Sequence, residues 1–231
     1  MKRMFVLLAG LLAASALVAG SAVADDDDGE SAATKTWQVT VTNLTPPGPG
    51  APGSQPLSPP LVVVHTKRAN VWSVGTIANH GVAAIAEDAN NEVLEAALPS
   101  VPGVTSVSTV AGGPIPSGAS RTFWVRTAGQ ANRLSLLTML VNTNDAITGL
   151  DSLRLSGRGG TTMVGAYDAG SEKNNERKTH IPGPCCGNPF VRDPEGALIR
   201  HHRGLTGAGD LDPAVYGWNG AVAKIVVERV G

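Results

Sequence analysis

The chain has 231 residues and a formal net charge of −1 at pH 7, and charged side chains make up only 16% of it. This near balance argues against a nucleic-acid or anionic-membrane partner that is held by bulk charge. The 28 glycines and 16 prolines, together with few helical periodicities, favour many short strands joined by turns.

Residues Met1–Ala24 are typical of a secretory signal. Lys2 and Arg3 precede the apolar run MFVLLAGLLAASALVAG, and Ala22-Val23-Ala24 provides a small-residue cleavage site. The apolar run is too short for a membrane anchor, and no later segment has the length and hydropathy to span a bilayer. We therefore expect an exported protein, periplasmic or extracellular, whose mature form begins near Asp25.

The part of the chain after the signal is expected to form one domain. Residues Asp25–Lys35 are an acidic run without large apolar side chains. Such a run predicts a disordered, solvated tail rather than an arm that attracts calcium. The remaining residues, 36–231, are numerous enough for a single domain with a sizeable core.

Alternating and apolar runs predict most of the strands. In Thr36–Leu44, the apolar residues Trp37, Val39 and Val41 alternate with polar ones, which predicts a half-buried first strand. Residues Thr45–Pro60 are rich in proline, which lacks a backbone N–H, so they are expected to form a long surface loop. Further strands are predicted in residues 61–66, 104–113, 120–128, 132–145, 149–157 and 220–231.

Only one helix is predicted. Residues Ile85–Ser100 place apolar side chains such as Ile85, Val93 and Leu98 near one helical face, and Pro99 ends the pattern. Many short strands with a single helix predict an all-β fold. We expect an antiparallel β-sandwich with one short inserted helix and long Pro/Gly-rich loops.

Four carboxylates follow the ends of two apolar strand patterns. The run Leu134–Val141 leads into Asp145, with Asp151 after the next glycine, and the run MVGAY leads into Asp168 and Glu172. If these strand ends lie together, the carboxylates repel one another unless a cation lies between them. Calcium accepts carboxylate, amide and carbonyl oxygens in flexible geometry, whereas magnesium demands a tighter octahedron. The spacing alone leaves both a calcium site and ordinary polar turns open.

The same segments resemble a known family. TMLVNTNDAITGLDSLRL followed by YDAGSE is similar to the spondin domain found at the N-terminus of F-spondin and mindin and in many short exported bacterial proteins. WQVTVTNLT and GAVAKIVVERV are similar to the first and last strands of that family, so the resemblance runs from residue 36 to residue 231. It implies a β-sandwich that binds a calcium ion at one end through Asp145, Asp151, Asp168 and Glu172.

Two departures from the family pattern are present. Thr143-Asn144 and Ala146 replace the Pro and Trp of a Ser-Pro-Asp-Trp turn, and Glu172 stands where the animal members have aspartate. A looser or more hydrated site is expected from these changes. The resemblance also implies a secreted adhesion or recognition module with an extracellular or cell-surface ligand, a protein or a glycan. The identity of that ligand does not transfer with the fold.

A second group of possible metal ligands lies nearer the C-terminus. Zinc or copper could use His180, Cys185, Cys186, His201 and His202, although their spacing matches no compact zinc motif. The adjacent cysteines could instead form a disulfide in an oxidising compartment, or stay reduced and buried. The sequence leaves these alternatives open, together with a purely structural role in the cell envelope.

No enzyme motif is evident. The sequence lacks a G-x-S-x-G elbow, an H-E-x-x-H helix and a phosphate-binding glycine loop before a strong helix. Residues Gly204–Asp210 have only a superficial likeness to a dinucleotide-binding loop. Catalysis by paired carboxylates would need one with a raised pKa, which bound calcium would prevent. We expect a non-enzymatic protein.

The aromatic and arginine side chains are interpreted mainly as structural. Core packing is expected for the four tryptophans, Trp37, Trp72, Trp124 and Trp218. A solvated face of neighbouring strands, rather than a ligand clamp, is expected for Arg121, Arg126 and Arg133.

Overall fold

The structure is a computed structural model that describes residues 33–48 and 53–231. The predicted signal, Met1–Ala24, lies outside these residues and stays a prediction. Most of the predicted tail, Asp25–Lys35, also lies outside them, and Lys35 itself begins the first strand.

The described residues contain ten strands and three short α-helices. The strands are β1 (Lys35–Asn43), β2 (Leu61–His65), β3 (Val104–Thr109), β4 (Ser120–Thr127), β5 (Arg133–Met139), β6 (Ala146–Arg154), β7 (Gly159–Val164), β8 (Tyr167–Asp168), β9 (Arg200–His201) and β10 (Ala223–Arg229). The helices are α1 (His80–Asp88), α2 (Glu92–Ala97) and α3 (Pro213–Tyr216), with 3-10 turns at Leu98–Ser100 and Lys178–His180.

The strands form two antiparallel sheets that enclose the core. One sheet has the order β4-β1-β10-β7 and the other has the order β3-β2-β5-β6-β8-β9. Side chains from both sheets, including Trp37, Val39, Val64, Leu136 and Ile225, make up the buried cluster between them. The two packed antiparallel sheets confirm the predicted β-sandwich.

Helices α1 and α2 cover the second face of the six-stranded sheet. Leu61 and Val63 of β2 lie in an apolar cluster with residues of α1 and α2, including Ile85, whereas Val62 and Val64 lie in the core between the sheets. Both faces of β2 are therefore buried, and this explains why LVVVH shows no alternation. No helix in the described ranges has the length and apolar character needed to cross a membrane.

The predicted helical region, Ile85–Ser100, is confirmed, but it contains the end of one helix, a second helix and a 3-10 turn instead of a single helix. α1 begins earlier than predicted, where the Asn79 side chain accepts the N–H of Val82 at 3.0 Å as an N-cap. It ends at Ala89, which adopts a φ of 55° and donates its N–H to a carbonyl one turn earlier. Asn90-Asn91 are weak helix formers, so the chain starts again as α2 instead of continuing.

The second half of the proline-rich loop is mostly buried, although a surface loop was predicted. Within residues 54–60, Leu57 is fully buried and forms a β-bridge with Ile115. Gln55 is also fully buried, and its side chain exchanges hydrogen bonds of 3.1 and 3.2 Å with the backbone of Asn142. Partners of this kind satisfy the backbone groups that proline-rich sequence cannot pair in a regular ladder.

Gly149 in β6 is expected to be intolerant of substitution. Its φ is 151°, and an added Cβ would lie 1.9 Å from the carbonyl oxygen of Leu136. Gly149→Ala should lower the free energy of unfolding by about 2 kcal/mol or more, measured by chemical denaturation. Gly160→Ala is the control, because a Cβ on that glycine of β7 would meet nothing within 4 Å. The control should stay within about 0.5 kcal/mol of the parent, and equal losses in both variants would contradict the prediction.

Candidate functional site

Three of the four predicted carboxylates lie at one end of the six-stranded sheet. Asp145 directly precedes β6, and Asp168 lies in β8, where it pairs with Ala146 at the start of β6. Glu172 lies in the loop that follows β8. The exposed fractions of Asp145, Asp168 and Glu172 are 0%, 4% and 1%. All three acidic side chains are therefore buried at this end of the sheet, and Asp145 interacts electrostatically with Asp168 and with Glu172.

Asp151 does not join this group. It lies inside β6, six residues along the strand from Asp145, and its side chain is exposed. At about 3.3 Å per residue, that separation is roughly 20 Å. The sequence predicted a strand that begins at Gly149, but the observed strand begins at Ala146 and runs through Gly149. The chain therefore carries Asp151 away from the other three carboxylates.

The carboxylate of Asp145 is held by the loop that it faces. Its Oδ2 atom accepts the backbone N–H groups of Ser171 at 2.8 Å and Glu172 at 2.9 Å, and the Ser171 hydroxyl lies at 3.2 Å. Its Oδ1 atom is buried and has no hydrogen-bond partner among the described residues. One oxygen therefore fixes the loop, and the other is left for a further group.

Glu172 faces a guanidinium group from a distant part of the chain. Its Oε1 atom lies 3.4 Å from Nε of Arg192, yet within the described chain neither of its oxygens has a hydrogen-bond partner. Arg192 also pairs with Glu87, at 3.3 Å, and with Asp88, both at the end of α1. Sequence reasoning missed Arg192, because it lies in an irregular segment that carries no recognisable pattern.

Both oxygens of Asp168 are already engaged. Oδ1 accepts the N–H of Gly170 at 2.8 Å, and Oδ2 accepts the side-chain amide of Asn174 at 2.8 Å. Oδ2 also lies 2.7 Å from a guanidinium nitrogen of Arg200, which is opposite Asp168 in the pairing of β8 with β9. Asp168 therefore orders the loop, and it is a weaker candidate than the other two for binding an added cation.

Two carboxyl groups in the site have strongly raised pKa values. Burial is the largest cause for Asp145 and raises its pKa to about 7, with backbone hydrogen bonds opposing the shift and the charge of Asp168 adding to it. Burial also raises the pKa of Glu172 to about 7, although the positive charge of Arg192 opposes this. Without a further positive charge, both groups are shifted toward the protonated form near neutral pH.

The unpaired donor atoms of the site are carboxylate oxygens. Three buried carboxylate oxygens lack a hydrogen-bond partner among the described residues, namely Oδ1 of Asp145 and both oxygens of Glu172. Within residues 33–48 and 53–231, however, no three His, Cys, Asp or Glu side chains are grouped closely enough to hold a metal ion. Carboxylate oxygens are the ligands that calcium prefers, and water or carbonyl oxygens commonly complete its shell.

The glycine-rich segment Gly204–Asp210 closes around a carboxylate of the same chain. The carboxylate of Glu176 accepts the backbone N–H groups of Thr206, Gly207 and Ala208 at 2.6, 2.7 and 3.0 Å, and the Thr206 hydroxyl at 2.9 Å. Burial works to raise the pKa of Glu176, but these hydrogen bonds lower it below its ordinary value. The anion that this loop binds is therefore internal.

The two cysteines and His202 already have bonding partners within the chain. Cys185 and Cys186 form a disulfide, and the described residues contain no free cysteine. His202 accepts the N–H of Gly204 at Nδ1, at 2.9 Å, and its Nε2 lies 3.0 Å from the Asn174 side-chain oxygen. Of the alternatives that the sequence left open for the cysteines, the disulfide is the one found. Bonded in this way, they offer no thiolate to zinc or copper.

A comparison with protein families matches residues 51–174 to the family described as Spondin_N. The matched segment covers more than half of the chain, and it contains β2 to β8 together with the three buried carboxylates of the site. A comparison with curated proteins gave no match.

The raised pKa values predict that stability falls with rising pH in the metal-free protein. A carboxyl group with a folded-state pKa of about 7 and an ordinary unfolded value contributes stability when it is protonated, and that contribution is lost as pH rises toward 7. Denaturation in chelator between about pH 5 and pH 7.5 should show a loss that approaches about 1 kcal/mol per pH unit for each of the two groups. Asp145→Asn should reduce this dependence, and Glu172 should account for the part that remains. A parent protein whose stability ignores pH over this range would contradict the prediction.

Glu176 is expected to be essential for the order of the glycine-rich segment. Glu176→Gln replaces an ionised acceptor with an amide whose NH2 group faces backbone donors, so the free energy of unfolding should fall by about 2 kcal/mol. Hydrogen exchange at residues 206–208 should become faster. Glu195→Gln is the control, because Glu195 is exposed and contacts only exposed groups of Arg200, and its loss should stay below about 1 kcal/mol. Equal losses of the free energy of unfolding in the two variants would contradict the prediction that the buried hydrogen bonds of Glu176 stabilise this segment.

Proposed function

The chain belongs to the spondin N-terminal family, and we propose that it is a non-enzymatic binding module that uses calcium to order one end of its β-sandwich. Membership in the family supports an extracellular module in general. Calcium binding is the more specific part of the proposal, and the chemistry of the site supports it. The observation that carries it is the set of buried carboxylate oxygens on Asp145 and Glu172 that lack a hydrogen-bond partner in the described chain.

Asp145 and Glu172 are the residues that would hold the ion. Bound calcium would supply the positive charge that favours the ionised form of both carboxyl groups, whose burial otherwise favours protonation. An ionised Asp145 accepts stronger hydrogen bonds from the N–H groups of Ser171 and Glu172 than a neutral one does. The loop after β8 would thereby be fixed, and this loop would form part of the surface that meets a partner.

The charge balance around Arg192 supports the same proposal. Its guanidinium group lies close to three carboxylates, those of Glu172, Glu87 and Asp88. Asp145 adds a fourth negative group, which interacts electrostatically with Glu172. One arginine would not offset four carboxylates if all of them were ionised, and converging carboxylates repel one another. A divalent cation would restore the balance without a change of fold.

The proposed partner is an extracellular or cell-surface ligand, a protein or a glycan. Adhesion or recognition is the role that such a module would have, with the calcium end as one rigid surface. A purely structural envelope protein would have no need of the ion, so calcium dependence separates these two roles.

Calorimetric titration of chelator-treated protein with calcium tests the site. Saturable heat is expected for the parent, and calcium at 100 times its Kd should raise the free energy of unfolding by about 2.7 kcal/mol. Asp145→Ala and Glu172→Ala should each abolish saturable binding, and Asp168→Ala should weaken it. Asp151→Ala is the matched control, because this exposed aspartate lies farther along β6, and it should bind as the parent does. No heat and no stabilisation in the parent would remove calcium from the proposed function.

A further inference from the structure

A continuous groove runs along the side and one end of the sandwich, away from the buried carboxylates. It consists of three adjoining cavities of about 660, 310 and 440 Å³. The first is lined by the edge strands β3 and β4 and shares Thr127 and Ala128 with the second. The second shares Asn132 and Arg154 with the third. Each cavity has the size of a small-ligand site, and together they could hold several linked units of a polymer.

Cationic side chains line this groove, and acidic ones do not. The cations are Lys35, Lys67, Arg126, Arg133 and Arg154. No Asp or Glu of the described residues lines any of the three cavities, and none of the five cations takes part in an ion pair within the described chain. The net charge of the chain is −1, so a basic composition does not explain this concentration.

Two of the cations face each other directly across a pair of strands. Arg133 of β5 and Arg154 of β6 are register partners, which places their Cα atoms about 5 Å apart. Like charges directly opposite destabilise a sheet. Arg133 donates one hydrogen bond to the carbonyl of Ser152, at 3.0 Å, and Asp151 of the same strand forms no ion pair with either arginine in the described chain. An anion bound between the guanidinium groups would remove the repulsion.

The groove also presents an aromatic face. Trp124 is 62% exposed and lines the cavity beside β3, together with the hydroxyl-bearing residues Ser106 and Ser108. The predicted core position of Trp124 is therefore wrong. Its neighbours Phe123 and Val125 are more buried and pack with the core. Because side chains alternate along a strand, Trp124 lies on the face of the sheet that points away from the core. An exposed indole offers a large apolar surface for a sugar ring, and hydroxyl groups offer hydrogen bonds to sugar hydroxyls.

We propose that this groove binds an acidic polysaccharide. Its sugar rings would pack on Trp124, and its carboxylate or sulfate groups would lie between Arg133, Arg154 and Lys67. Single-stranded nucleic acid fits less well, because its binding sites stack successive bases on several aromatic side chains, whereas one tryptophan lines this groove. An anionic membrane also fits less well, because the cations line a recess between strands instead of a protruding face.

This proposal assigns a class of ligand to the recognition role proposed above. It rests on that role only because an extracellular protein would meet such polymers. It does not depend on calcium. Asp145 precedes the first residue of β6 and Arg154 is the last residue of that strand, so the two sites lie at opposite ends of it. Failure of one site therefore leaves the other intact.

Binding of defined polymers to the protein tests the proposal. The probes are polygalacturonate, which carries carboxylates, dextran sulfate, which carries sulfates, and neutral dextran, each titrated by biolayer interferometry in chelator and again in calcium. Binding of at least one acidic polymer, with weakening at high salt and no binding of neutral dextran, is expected. The charged polymer that binds more tightly identifies the anionic group. Absence of binding by both acidic polymers in calcium and in chelator would overturn the proposal.

Matched variants locate the binding site. Lys67→Gln combined with Arg154→Gln should weaken the binding of the acidic polymer by about tenfold or more, and Trp124→Ala should weaken it independently of salt. Arg177→Gln combined with Lys178→Gln removes the same charge from exposed residues outside the groove, and it should change the affinity by less than about twofold. Equal losses in the two double variants would overturn the assignment to the groove.

Three further measurements distinguish the groove from the calcium site, and a polysaccharide from other ligands of the groove. Asp145→Ala should leave polymer binding unchanged, which distinguishes failure of the calcium site from failure of the groove. Oligo-dT that binds as tightly as the acidic polymers would overturn the choice of a polysaccharide. Binding that is seen only after deletion of residues 25–32 would assign the groove to the acidic run of the chain itself, and it too would overturn the proposal.

Discussion

Burial of the Asp145 carboxylate is the constraint on which one end of this molecule depends. Oδ2 of Asp145 accepts the N–H groups of two successive residues, so the loop after β8 must fold back onto the start of β6, where Asp168 pairs with Ala146. An ionised carboxylate at this depth would cost several kcal/mol without such bonds. The adjacent Asn144 continues the pattern, because its side chain accepts the N–H of Glu176 at 3.1 Å. Asn144 and Asp145, which precede β6, therefore fix the backbone of the loop that follows β8.

The same chain of contacts explains why several sequence motifs that looked independent belong to one assembly. Glu176, once positioned, holds the glycine-rich segment 204–210 through its carboxylate. His202 is fixed between Gly204 and Asn174, and burial lowers its pKa, which keeps the imidazole neutral near pH 7. A nucleotide loop and a histidine metal site were each conceivable from the sequence alone. In the structure their polar groups mainly satisfy one another, which is how buried polar groups are normally accommodated.

The sequence predicted the sandwich well because strand alternation records which side chains face the core, and this record is local. It predicted less where the outcome depends on contacts between distant segments. Residues 146–148 separate two predicted strands, yet they belong to β6, which runs on through Gly149 and carries Asp151 away from the site. Arg192 enters the site from an irregular segment that has no pattern to detect. Trp124, by contrast, is a local case, because alternation with its inward-facing neighbours Phe123 and Val125 is enough to place it away from the core.

Strand β6 joins two ends of opposite charge. Asp145 precedes its first residue and Arg154 is its last, a separation of roughly 30 Å. This exceeds the Debye length of about 8 Å at physiological ionic strength, so the two ends do not neutralise each other. Each end must find its counter-charge locally, and Arg192 supplies part of it for the carboxylates, whereas the described chain supplies none for the facing pair Arg133 and Arg154. A near-zero net charge therefore hides two strong local fields, and local fields rather than the total charge decide which ligands bind.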